Sequence, residues 1–144
     1  MTSHKAILVA NSFVARLFEQ SHLQQPWVET RDWWHAEGRM HARELERAPL
    51  GHSLAGRAGL APHIDIRHRE RAEFAHDLAL DLHEAWATEK WHALEIFASN
   101  PFLGELLAHL RPDIKNIVHA THPLDWTSLS AGEMEKRWRK KFKG

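Results

Sequence analysis

The chain has no cysteine among its 144 residues. Disulfides and thiolate zinc sites are therefore excluded, and a reducing compartment, the cytoplasm, is the expected setting. It also has no long apolar run. The stretch Ala6 to Ala10 is too short for a secretory or membrane-spanning segment, so no membrane span is expected. Nor is there an excess of charge of either sign, because 19 Lys and Arg balance 19 Asp and Glu. The totals thus do not mark a strongly basic nucleic-acid binder, and only a local patch could act as one. Tyrosine is missing, whereas tryptophan occurs seven times. Glycine is scarce and unevenly spread, with Gly38, Gly51, Gly56 and Gly59, four of the seven, between His35 and Arg69. No hydrophobic period crosses that stretch. It reads as a long flexible loop over residues 35–68 within one domain spanning 1–144, and loops of such length are functional or disordered.

The remaining segments show regular periods. Lys5 to Ala10 is a continuous apolar run, as expected of a strand buried on both faces. Asn11-Ser12 signals a turn, and Phe13 to Glu19 alternates, which predicts a hairpin. Trp27 to Trp33, entered after Pro26, alternates again as a third strand. Beyond the loop the period becomes helical from about Arg69 to Thr88. Ala75, Leu78, Ala79, Leu82 and Trp86 form one stripe there, opposite Glu73, Asp77, Asp81 and Glu84. His92 to Ala98 is a short strand. Asn100-Pro101 is expected to open a second helix, with Asn as cap and Pro at the first position. Its apolar face would be Phe102, Leu103, Leu106, Leu107 and Leu110. Ile114 to Ala120 reads as a strand. Ser130 and Glu133 form a capping box for a last helix through Met134, Trp138 and Phe142. A meander followed by alternating helices and strands predicts an α/β domain, a mixed sheet with helices on both faces.

The opening Ile7-Leu8-Val9-Ala10-Asn11-Ser12, followed by Ala15-Arg16-Leu17-Phe18, resembles the first hairpin of the bacterial host attachment protein family, named for a proposed role in attachment to host cells. Arg43-Glu44-Leu45, Glu73-Phe74-Ala75, Pro101-Phe102-Leu103-Gly104 and Thr127-Ser128-Leu129-Ser130 follow in the family's order, so the resemblance covers nearly the whole chain. That family is similar in turn to the middle domain of archaeal and eukaryotic peptide-chain release factors, whose core is ribonuclease-H-like. The resemblance implies three layers and a five-stranded mixed sheet whose second strand runs against the others. In release factors the loop before the first long helix carries a Gly-Gly-Gln motif for peptidyl-tRNA hydrolysis. The matching loop here, Gly51 to Gly59, contains no glutamine, and the last glutamine of the chain is Gln25. Release by that mechanism is not implied, whereas a ribosome- or tRNA-directed binding role is, by analogy of fold.

The residues themselves offer little catalytic chemistry. Two-metal phosphodiester cleavage needs carboxylates gathered at strand ends. The first strand carries none, and Glu29, Asp32 and Glu95 suggest no convergent set. His76 and His83 lie about 10 Å apart along a helix, too far for a shared zinc ion. His119 and His122 straddle a strand end without an evident third ligand. No serine sits in a nucleophile elbow, and no phosphate-binding glycine loop is present. No metal, no cofactor and no small-molecule substrate are therefore expected. The sharpest local signal is the tail, in which Lys136, Arg137, Arg139, Lys140, Lys141 and Lys143 interleave with Trp138 and Phe142. Such a pattern suits phosphate contacts and stacking on RNA, and suits an anionic membrane surface nearly as well. It also suits a helix packed on the sheet through Met134, Trp138 and Phe142, with basic residues near its C-terminus. The expected function is a non-catalytic binding module contacting the ribosome, tRNA or other RNA. The loop arginines Arg43, Arg47 and Arg57 and the tail residues Arg137, Arg139, Lys140, Lys141 and Lys143 would take phosphates, and Trp34 would anchor a partner. The alternatives are a hydrolase of tRNA or nucleotide esters using altered loop chemistry, and an adhesion-related protein.

Overall fold

The computed structural model describes residues 4–35 and 56–143. β1 (Lys5–Ala10), β2 (Val14–Gln20) and β3 (Val28–Trp34) form the predicted meander, and β4 (Ala93–Ala98) and β5 (Val118–His122) complete a mixed five-stranded sheet in the order β3-β2-β1-β4-β5. β2 is antiparallel to both of its neighbours, while β4 runs parallel to β1 and β5 parallel to β4. Asn11 makes the first turn. Its side-chain oxygen accepts from the backbone N–H groups of Phe13 and Val14 at 2.8 and 3.0 Å, offering the chain a bend in place of a further strand residue.

Every residue of β1 is buried, so its two faces feed two separate cores. On one face Leu8, Leu17, Leu94 and Ile96 pack against α1 (Gly56–Glu89) and α2 (Phe102–His109), through Leu78, Leu82, Phe102 and Leu106. On the other, Ile7, Val9, Phe18 and Phe97 pack against Trp27, Trp126 and Met134, the last from α4 (Ala131–Trp138). The strand periodicity and the stripe on α1 are thus both realised, and helices cover both faces of the sheet.

Four boundaries differ from expectation. α1 begins at Gly56, so residues 56–68 of the expected loop are helical, and residues 36–55 of that loop lie outside the described ones. Gly56, Gly59 and Pro62 argue locally against a helix there, but a helix already nucleated by the packed stripe extends with one hydrogen bond for each residue added. α2 starts at Phe102 with Pro101 in the capping position and no side-chain cap, one residue later than the Asn-Pro signal suggests. A short helical turn, α3 (Pro112–Lys115), occupies the start of the expected fifth strand, buries Ile114 and delays β5 to Val118. Finally, α4 is capped as predicted, Ser130 accepting from the Glu133 N–H at 3.2 Å, but it widens into a π-helical turn over Arg139–Lys143.

Candidate functional site

Glu95 is the one acid of β4, and only 2% of its surface is exposed. Alternation places it with Phe97 on the α4 face of the sheet. Lys5, at the start of β1, reaches it diagonally with Nζ 3.0 Å from Oε1. His122 on β5 places Nε2 2.7 Å from Oε2. Trp138 on α4 donates its indole N–H to both oxygens, at 3.1 and 3.0 Å. His119 stands further out, its Nε2 3.6 Å from Oε1. An ionised carboxylate only accepts, so the His122 nitrogen facing it carries a proton.

Burial opposes the charge on Glu95. The Lys5 ammonium, the His122 ring and the Trp138 indole outweigh that opposition and hold its carboxyl below the ordinary glutamate value. Asp125 is lowered in the same way: burial pushes it up, while the Thr127 hydroxyl at 2.6 Å, the Thr127 N–H and the Asn11 amide pull it further down. Between its folded and unfolded values such a group binds more protons in the unfolded chain, so stability there rises with pH. The contribution is complete above the normal carboxylate range and disappears as pH falls through the folded value. Urea midpoints should therefore decline below about pH 4.5, and decline less steeply in Glu95→Gln.

With its lone pairs taken by Lys5, His122 and Trp138, this carboxylate is a pin between sheet and helix. Lys5 Nζ also lies 4.4 Å over the Trp138 ring, which stands edge-on to Trp27 at 6.3 Å. Phe97 stacks between Trp126 at 4.2 Å and His122 at 4.4 Å, and Phe142 of the π-helical turn closes on His122 at 4.2 Å. The entry to α4 is tied down as well. Arg16 donates to the backbone oxygens of Thr127 and Leu129 at 3.0 and 2.6 Å while forking onto Glu29.

Anchored at both ends by aromatic and polar contacts, α4 and its π-helical turn present a run of cations to solvent. Lys136, Arg137, Arg139, Lys140 and Lys141 are all exposed. The nearest counter-charge the structure gives them is Glu133, 4.0 Å from Arg137. The cations of the tail thus face solvent, while Trp138 packs on the sheet and Phe142, still 38% exposed, lies against His122 and Trp126, as the packing reading of the same pattern expects. Lys143 ends the π-helical turn and Arg57 falls in the first turn of α1. Arg43 and Arg47 lie outside the described residues. Trp34 is 67% exposed on the edge strand β3, paired with Val14 of β2, whereas Trp33 is half-buried and donates to Asp81 at 2.8 Å.

The convergence on Glu95 escaped the sequence reading, which found no set around that residue and no third partner for His119 and His122. Residues three apart on a regular strand point to opposite faces. Here the β4–β5 register slips between Leu94 and Glu95, leaving His119 as an extra residue between the pairs Leu94–Val118 and Glu95–Ala120. The bulge turns both imidazoles toward one carboxylate.

Among the described residues no helix is long and apolar enough to cross a membrane. No curated protein matches the sequence. A family model does, over residues 6–137, from the first residues of β1 to the penultimate residue of α4. The chain belongs to the family described as proteins required for attachment to host cells, and that membership suggests a host-attachment-related role.

Proposed function

We propose that this member of the family is a non-catalytic module that captures RNA, on the ribosome or as tRNA, in a cytoplasmic setting. The observation that carries this reading is the exposure of Lys136, Arg137, Arg139, Lys140 and Lys141 together on one helix whose orientation is fixed by Trp138 and Glu95. A cationic face held in place loses little side-chain and backbone freedom on meeting phosphates, and guanidinium groups take them in bidentate fashion. Arg43, Arg47, Arg57 and Lys143 would extend the footprint, and Trp34 would add an apolar anchor. The strand order with β2 alone reversed supports a ribonuclease-H-like, release-factor-related lineage. Hydrolysis by that lineage's glutamine is not part of the proposal, since the chain has none after Gln25. A partner-capture role is also the kind of activity an attachment-related protein requires.

Sedimentation with ribosomes across a salt series from about 50 to 200 mM tests the reading: association should weaken steeply and log-linearly with salt. Absence of association with ribosomes or free RNA at the lowest salt would overturn it. In the same assay Trp34→Ala should weaken capture.

A further inference from the structure

A second cluster lies on the opposite face of the sheet, at the rim where three elements end. His4 precedes β1, Glu19 stands near the end of β2 on the face that carries Ala15 and Leu17, and Glu89 is the last residue of α1. One ligand atom from each lies within 4.8 Å of the other two. We infer that His4, Glu19 and Glu89 form a binding site for a single divalent first-row metal ion of the zinc class.

The donor set is one imidazole and two carboxylates, which suits a borderline ion that accepts nitrogen and oxygen together. Three protein ligands leave the fourth tetrahedral position to water. Ligand atoms bound to zinc sit about 3.4 Å apart. Glu89 is exposed at a helix end and closes the remaining distance by a change of rotamer. His4 and Glu19 already face one another, and their 2.8 Å contact has to open to that spacing. The His4 carbonyl accepts from the His92 N–H at 2.8 Å, which ties the residue to the start of β4. Its Nε2 lies 2.8 Å from Glu19 Oε1, and that same oxygen accepts from the buried Trp91 indole at 3.2 Å. An outer donor to a ligating carboxylate fixes its orientation as metal sites require. Metal binding would insert the ion between Nε2 and Oε1. The proton now bridging them would move to Nδ1, or leave to solvent from a doubly protonated ring.

Charge points the same way. Two carboxylates brought this close repel each other, and the cation next in sequence, Lys90, is engaged elsewhere, its Nζ 4.6 Å over the Trp86 ring. The turn that separates Glu89 from Trp91 places Lys90 at φ 55°, a left-handed conformation that non-glycine residues seldom adopt. The turn leaves Glu89 and Trp91 both beside Glu19. Since His4 and Lys5 alternate across β1, an ion held here would brace the strand start whose next residue bonds Glu95.

The full-length protein, stripped with chelator and titrated with Zn²⁺, provides the test. The Trp91 indole N–H resonance, assigned by its loss in Trp91→Phe, should shift in step with the first calorimetric binding event. Glu89→Gln, a surface change that spares the fold, should weaken that event about tenfold or more and suppress the shift. His4→Ala should abolish both. A second set, His35, Glu70 and Glu73, gives the internal comparison, and His35→Ala should leave the Trp91 response intact. A Trp91 resonance indifferent to Zn²⁺, or equal affinity in wild type and Glu89→Gln, would show an adventitious ion only and overturn the assignment.

Discussion

Replacing Glu95 with alanine is expected to lower the unfolding free energy by about 3–5 kcal/mol, the range for removing one partner from a buried, hydrogen-bonded ion pair. The loss comes from what is left behind. The side chain of Lys5 is only 11% exposed, so its ammonium would keep its charge without a counter-ion or be driven to release its proton. The Trp138 indole and the His122 ring would each lose an acceptor inside the aromatic layer. Glu95→Gln keeps the shape and one acceptor oxygen, and should cost less. The sharper check is a double-mutant cycle with Lys5→Met measured by urea denaturation. Removing both charges together should cost well under the sum of the single changes, because apolar replacement of an entire buried pair is often close to neutral. Additive costs would mean that Lys5 and Glu95 do not stabilise one another. Circular dichroism should also show partial loss of helix in Glu95→Ala, since Trp138 ties α4 to the sheet.

Which parts were legible in the sequence follows from the range of the interactions involved. β1 was readable because an apolar run buried on both faces needs no partner to be recognised, and the α1 stripe because Ala75, Leu78, Ala79 and Leu82 repeat at helical spacing. Ser130 was readable because its partner, Glu133, is three residues away. The early start of α1 was not, since Gly56, Gly59 and Pro62 oppose it locally and only continuation from packed residues supports it. The delay of β5 arose from Ile114, which reads as a strand residue but is buried in a helical turn opened by Pro112. The Glu95 centre was the least legible of all. Its members are separated by up to 133 positions in sequence, Lys5 to Trp138, and the bulge at His119 breaks the alternation that a strand reading depends on. The basic tail was visible, but only the structure decides that Trp138 bonds Glu95 and Phe142 lies against His122 while its cations face solvent.

Converting Arg137, Lys140 and Lys141 together to glutamine should have the largest effect on partner capture. All three are exposed, and the ion pair among them is the solvent-exposed 4.0 Å approach of Arg137 to Glu133 one helical turn away. Glutamine keeps comparable helix propensity, so stability should change by no more than about 0.5 kcal/mol. Each phosphate contact contributes roughly 0.9 to the slope of log affinity against log salt on duplex DNA, and about 0.7 on single strands. Losing three should therefore flatten that slope by about 2–3 and weaken ribosome or RNA association about tenfold or more at low salt. Because Trp138 and Phe142 stay in place, the variant separates the two readings of the tail. A pattern selected only to pack on the sheet predicts unchanged binding and an unchanged slope, whereas a phosphate-binding face predicts weaker binding and a flatter slope while the thermal transition stays where it was.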